Sequence, residues 1–205
     1  MSAELGFGVA RASRQPPLSR ALDLVIATVA LALLSPVLAL CALVIVIDAG
    51  MPVFYSQERV GHGGRTFRMR KLRTMRPGSE PRGPHDPVGD GDARVTRSGA
   101  FLRRYSLDEI PNLVNVLRGE MAIVGPRPTI SSQVVDYTPR QLRRLEVLPG
   151  ITGWAQVNGR AGIPWSERIE LDVWYVEHRS LGLDLKILAR TAKQLLTPGE
   201  GIYEQ

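Results

Sequence analysis

"LVIATVALALLSPVLALCALVIVI", residues 24–47, contains no charged side chain. At about 1.5 Å per residue, a helix of this length reaches roughly 36 Å, enough for the hydrocarbon core of a bilayer. The run is too long for the apolar part of a secretory signal, and no small-residue cleavage site follows it. A soluble helix this apolar would need cover on every face, so the stretch reads as membrane-embedded. Ser35-Pro36 falls near its middle, where proline removes a helical hydrogen bond and crowds the preceding turn. Both flanks are basic, with Arg11, Arg14 and Arg20 upstream and Arg59, Arg65, Arg68, Arg70, Lys71, Arg73 and Arg76 downstream. Positive charge favours the cytoplasmic side, and here both ends claim it. A helix that enters, bends at Ser35-Pro36 and leaves on the same face satisfies both ends, with the Ser35 hydroxyl helping to satisfy carbonyls freed at the bend. An ordinary spanning helix with a proline kink is the alternative, and both forms stay open at this point.

The chain has 205 residues, with 26 Lys and Arg against 20 Asp and Glu, so its formal net charge is +6. Such an excess suits an anionic partner: nucleic acid, anionic lipid or a phosphorylated small molecule. No helix-turn-helix, zinc-finger or RNA-binding signature accompanies it, and the apolar run has no use in nucleic-acid binding. Cys41 is the single cysteine, which excludes an internal disulfide, and three scattered histidines (His62, His85, His178) assemble no Cys/His zinc site.

Beyond the apolar run, "PVFYSQERVGHGGRTFRMRKLRTM" (52–75) reads as a β-hairpin turning at Gly61–Gly64. Residues 77–94, with four prolines and four glycines, read as a long exposed loop in which Asp86, Asp90 and Asp92 lack the spacing of a calcium loop. Helices are expected over about 94–104 and 106–118. Residues 119–128 read as a loop. A further helix opens at Thr138, with Pro139 at its first position and Gln141 closing a capping box. Residues 150–160 read as a short extended segment and a turn. "WSERIELDVWYVEHRS" and "LDLKILARTAKQLL" read as two amphipathic helices, the second stopped by Pro198-Gly199. Trp154, Trp165 and Trp174 suit either a bilayer interface or a core.

The chemistry concentrates in "RRYSLDEIPN", residues 103–112. Ser106 and Glu109 have the spacing of a capping box, which accounts for the carboxylate in purely structural terms. Pro111 complicates this, because it would sit where its missing N–H should bond the Leu107 carbonyl. Whichever way the helix starts, Asp108 and Glu109 lie in its first turn, where free N–H groups favour carboxylates and phosphates alike. An ionised carboxylate can attack phosphorus or ligate Mg²⁺. Capping and catalysis both remain open from these residues alone.

The chain resembles the small monotopic phosphoglycosyl transferases, bacterial sugar transferases that begin glycan assembly on a polyprenol phosphate. The blocks that carry the resemblance are "ALDLVIATVALALLSPVLAL", "PVFYSQERVG", "RKLRTM", "DARVTRSGAFLRRYSLDEIPNLVNVLRGEMAIVGPRP", "PGITGWAQVNGR" and "LDVWYVEHRSLGLDLKIL", from Arg20 to about Thr197. The resemblance implies an α+β, mostly helical monotopic membrane protein: an N-terminal tail (1–19), a re-entrant membrane helix (20–49) bent at Ser35-Pro36, and a cytoplasmic catalytic domain (50–205) with a β-hairpin and interfacial amphipathic helices. It implies a place on the bacterial inner membrane, with the catalytic domain on the cytoplasmic face and in contact with membrane lipids.

The implied chemistry is attack by Asp108 on the sugar-bearing phosphate of a UDP-sugar, loss of UMP, and transfer of the phosphosugar to polyprenol (undecaprenyl) phosphate in exopolysaccharide or other glycoconjugate synthesis. Magnesium is implied on Asp108 and Glu109, and phosphate binding on Lys71, Arg103 and Arg127. Asp172 and Tyr175 are expected to face the substrate. Glu120, Ala122, Asn112 and "AGIPW" after Arg160 depart from the family's usual residues and bear on sugar identity rather than on the Asp-Glu pair. With no multispan region ahead of the apolar run, the sequence resembles the minimal catalytic form. A non-catalytic, membrane-anchored nucleotide-sugar-binding or scaffold module is the competing class, and oligomeric state is not addressed by any motif.

Overall fold

The computed structural model describes residues 12–79, 88, 91–159 and 163–196. The Pro198-Gly199 stop, His85, Asp86 and Asp90 lie outside the described residues.

Helix α1 (Pro17–Ala49) opens with Pro17, whose missing N–H costs nothing in a first turn, and runs unbroken for 33 residues through Pro36. Pro36 cannot donate to the carbonyl four residues back, at Ala32. The Ser35 hydroxyl donates to that carbonyl instead, at 2.9 Å. The helix is continuous through Ser35-Pro36, where a bend was expected, and the expected hydroxyl compensation is present. One stripe of α1 packs inward through Ala27, Cys41 and Ile45, with Ala30, Leu34 and Leu38 beside them. The opposite stripe, including Val25, Val29, Leu33, Leu40, Leu43 and Ile47, stays exposed. By length and composition α1 is apolar enough to cross a membrane.

Both ends of α1 are tied to the rest of the chain. At the start, Arg20 donates to the carbonyls of Val116 (2.8 Å) and Leu117 (3.3 Å), and Asp23 accepts from the Ile123 N–H at 3.1 Å. At the finish, Asp48 accepts from the Ser98 N–H and hydroxyl at 2.8 and 2.7 Å, while Arg73 donates to the Ala49 and Gly50 carbonyls.

The hairpin is as expected. Strands β1 (Phe54–Val60) and β2 (Thr66–Leu72) pair antiparallel from Phe54 opposite Leu72 to Val60 opposite Thr66, and the turn uses Gly63 and Gly64 at positive φ. Helix α2 (Arg97–Arg104) starts three residues later than expected, capped by the Thr96 hydroxyl, which accepts from Gly99 N–H. Gly99 rests on the backbone after β2, where an added Cβ would lie 2.0 Å from the Thr74 carbonyl oxygen. Gly99→Ala must push α2 away from Thr74. It is expected to cost about 1–3 kcal/mol, in the range of overpacking, and a lowered melting temperature of the detergent-solubilised chain checks this.

The single helix expected over 106–118 is two elements. Residues Leu107–Asn112 form a 3₁₀ turn containing Pro111, followed by the short α3 (Leu113–Leu117). Pro111 explains the division, because the tighter turn avoids the α-helical clash that proline creates. Two three-residue strands, β3 (Ala122–Val124) and β4 (Gly150–Thr152), pair in parallel where a loop and an extended segment were expected. Short helices α4 (Ser131–Val134) and α5 (Pro139–Leu142) follow β3, the latter with the expected Thr138–Gln141 capping box. Residues 154–158 form α6 (Trp154–Asn158) rather than a turn, and α7 (Trp165–His178) and α8 (Leu181–Leu196) close the order. The main core joins α1, β2, the 3₁₀ turn, α3, β3, α7 and α8. Trp154 packs against the main core and stacks on Trp174 with ring centres 5.0 Å apart, whereas Trp165 and Trp174 are exposed.

Candidate active site

The strand register of β2, the cap of α2 and the 3₁₀ turn together decide where the charged groups meet. Ser106 takes a left-handed backbone (φ 54°) and caps nothing with its side chain. The expected capping box with Glu109 does not form, because the Glu109 carboxylate turns away toward two cations. Its Oε1 accepts from Lys71 Nζ at 2.6 Å and from Arg127 Nη2 at 3.0 Å. Burial pushes the Glu109 carboxyl up, but Arg127 and Lys71 outweigh it and hold the group well below the usual carboxylate range. Asp108, only 7 % exposed, differs: burial raises its carboxyl above the ordinary aspartate value, against the opposing pull of Lys71, Arg103 and Arg127. The two adjacent carboxyls are thus shifted in opposite directions, Glu109 downward by its cations and Asp108 upward by burial.

These groups line a cavity of about 1190 Å³. Asp108, Glu109, Lys71, Arg103 and Arg127 all face it, so five of the seven residues expected at a substrate site are brought together. Arg103 donates through Nε to the Thr74 hydroxyl at 2.9 Å, which places its guanidinium at the wall. Ile26, Ala30 and Leu34 of α1 form an apolar part of the same wall.

Asp172 and Tyr175 are not among the lining residues. Asp172 is 3 % exposed and accepts from Arg144 Nη2 at 2.5 Å. Tyr175 is 1 % exposed and donates to Asp184 at 2.7 Å, and burial first, then Asp184, raises its phenol far above the usual value. One helical turn apart on α7, both point into the core beside Val173 rather than into the cavity. The departures at Asn112 and Glu120 also face inward: Asn112 accepts the Arg70 N–H and Glu120 accepts from Asn115.

The sequence reading missed Arg144. It is 3 % exposed, lies within 5.5 Å of the Trp165 ring centre and 5.7 Å of that of Tyr137, and donates to the Arg127 carbonyl at 2.8 Å. It therefore ties two cavity-lining rings and the backbone of Arg127 to one buried ion pair. In "TPRQLRRLE" nothing marks Arg144 apart from its solvated neighbours.

No group of three or more His, Cys, Asp or Glu side chains suited to a metal occurs among the described residues. Magnesium binds through one or two carboxylates together with phosphate oxygens and water. Asp108 and Glu109 fit that smaller donor set, with Glu109 Oε1 already shared by two cations.

A buried carboxyl and an ion-paired one stand beside three cations in a cavity partly walled by an apolar helix. The chain belongs to the bacterial sugar transferase family, whose model matches residues 14–198. It is 43% identical over 187 residues to the uncharacterized sugar transferase EpsL of Bacillus subtilis, covering 91% of each chain. It is 43% identical over 187 residues to the UDP-glucose:undecaprenyl-phosphate glucose-1-phosphate transferase of Caulobacter vibrioides, covering 87% of this chain and 69% of that one. A third relative, the UDP-N-acetylgalactosamine-undecaprenyl-phosphate N-acetylgalactosaminephosphotransferase of Aeromonas hydrophila, is 39% identical over 186 residues, and here the chain spans 44% of the relative's length.

Proposed function

We propose that this protein transfers a sugar 1-phosphate from a UDP-sugar to polyprenol phosphate through a covalent phosphosugar ester on Asp108. The observation that carries the reading is the difference between neighbouring carboxylates: Glu109 engages Lys71 and Arg127, while Asp108 lies beside the same cations as a buried carboxyl facing the cavity. The names of the Caulobacter and Aeromonas relatives support the two substrates.

In the first step an ionised Asp108 oxygen attacks the sugar-bearing phosphorus, and the bond from that phosphorus to the bridging oxygen breaks. UMP leaves with that electron pair. In the second step an oxygen of the lipid phosphate attacks the same phosphorus, the aspartyl bond breaks, and Asp108 returns as a carboxylate. Lys71, Arg103 and Arg127 offset phosphate charge throughout, since charge-assisted hydrogen bonds to phosphate are the strong kind. Glu109 orients Lys71 and Arg127 before substrate arrives. Magnesium held by Asp108 and Glu109 would neutralise diphosphate charge.

The test is mass spectrometry of the donor-treated chain across a panel of UDP-sugars. One phosphosugar added at Asp108, with one UMP released before acceptor is present, is the expected result. Release of UMP only after both substrates bind, with no adduct, overturns it.

We place the protein on one face of the membrane. The hydrogen bonds of Arg20 and Asp23 at one end of α1, and of Asp48 and Arg73 at the other, all lead into the same folded body. A helix crossing the bilayer would carry one set away from its partners. Cysteines introduced near residues 14 and 62 in a Cys41→Ser background are expected to react with an impermeant reagent from the same side. Labelling from opposite sides would contradict this topology.

A further inference from the structure

Arg73 is 4 % exposed, yet it has no carboxylate within ion-pair distance among the described residues. Its Nη2 donates to the carbonyls of Ala49 (2.8 Å) and Gly50 (2.5 Å), where α1 ends. Its Nε and Nη1 are buried and meet no acceptor among the described residues. Buried cations are ordinarily paired with a full opposite charge, and the end of a helix supplies only about half of one. A guanidinium left with two idle donors in the wall of a cavity is therefore short of an anion.

Position decides which anion. Arg73 lines the same cavity as Asp108. Its backbone N–H donates to the Val53 carbonyl at 2.8 Å, so the extended pairing of β2 continues through it. Lys71 and Arg73 are thus two residues apart on an extended chain. They share a face, about 6.6 Å from each other along the strand. Their heads go different ways from that shared face, so each can meet a phosphate of its own. Lys71 is tied to Glu109, on the Asp108 side. Arg73 is tied to the end of the apolar helix, where Ile47, Met51 and Phe54 are exposed. An anion reaching Arg73 therefore lies at the edge of the apolar phase, as the head of an amphipathic molecule does.

The geometry points to Arg73 as the residue that holds the phosphate monoester of the lipid acceptor, in a subsite separate from the Lys71–Arg127 cradle of the donor. The inference rests on the transfer reaction proposed above and adds the location of its second substrate. Arg73 couples that subsite to the membrane helix, because one guanidinium grips the α1 terminus and the incoming head group together.

The experiment separates the two half-reactions in the full-length chain in nanodiscs. Adduct formation with a UDP-sugar is first measured in the wild type without acceptor, and its failure there would count against the transfer mechanism itself. The adduct is then discharged with a titrated short-chain polyprenyl phosphate. In Arg73→Gln the adduct still forms, and the acceptor concentration for half-maximal discharge rises roughly ten- to hundredfold, the scale of a lost hydrogen bond to a charged group. Arg73→Lys, which keeps the charge and guards against a folding failure in the glutamine variant, shows a smaller rise of the same kind. Inorganic phosphate, run as a competitor, displaces the lipid poorly. Parallel loss of both half-reactions would reduce Arg73 to a clamp on α1 and overturn the assignment. An unchanged acceptor curve would do so too, as would competition by inorganic phosphate at the lipid's own concentration.

Discussion

Asp108→Asn is expected to abolish sugar-phosphate transfer, lowering turnover by at least roughly 10³-fold, and to leave no phosphosugar on the protein after incubation with donor. The substitution is nearly isosteric at a site only 7 % exposed, so the fold should survive it. It replaces the anionic carboxylate proposed as the nucleophile with a neutral amide while keeping Lys71, Arg103 and Arg127 in place. Donor binding should therefore persist, measured by protection of the variant against thermal unfolding by a UDP-sugar. The wild-type protein adds a pH signature. Burial raises the Asp108 carboxyl above its ordinary value of 3.8. The folded state then holds a proton over a window where the unfolded chain has lost it, so this group's contribution to stability falls as pH rises through that window. The nucleophilic fraction rises over the same window, and the rate of adduct formation should climb with it. Turnover by Asp108→Asn near the wild-type rate would remove the covalent mechanism.

Glu109→Gln is expected to lower kcat on the order of a hundredfold without raising the KM for donor. In the resting protein the single oxygen Oε1 occupies both Lys71 and Arg127. Neutralising it frees those cations for the diphosphate, which favours binding, but removes the strut that orients them around the reacting phosphorus. A lowered kcat with a raised KM would instead make Glu109 part of the binding surface alone. The stability of the wild type should also carry the mark of this group. Glu109 is held well below its ordinary 4.5, so its contribution is complete above that value and is lost as pH falls toward the folded one. Melting temperatures of the glutamine variant should therefore decline less on acidification below pH 5, compared by calorimetry in detergent.

The hairpin was legible because Thr66–Arg70 alternates and Gly61–Gly64 supplies the turn, two signals that agree. The long helix was legible from hydropathy alone. The gathering of Lys71, Arg103 and Arg127 around Asp108 was legible only through the resemblance, since each taken singly is an ordinary surface cation. What escaped did so for physical reasons. Three residues of Ala122–Val124 are too few to show a strand period, and only pairing with Gly150–Thr152 makes them one. Ser106 offered a good cap by spacing, but the pull of two cations on Glu109 exceeded the local bond it would have made. Asp172 and Tyr175 stand in a family block, yet a motif does not say which side of a helix meets the cavity, and their side packs into the core. Arg144 was invisible because its partner Asp172 lies 28 residues away.

The double tether of α1 sets an order of events during synthesis. Residues 17–49 leave the ribosome before the partners of α1, because the carbonyl that receives Arg20 lies 96 residues downstream and the amide that meets Asp23 lies 100 downstream. At ordinary elongation rates the nascent helix waits roughly 5–20 s before either partner exists. Through that interval only its own greasiness and the positive charge at its flanks hold it in place. Loss of Arg20 should therefore surface as misdelivered or degraded polypeptide, with correctly seated molecules retaining normal turnover.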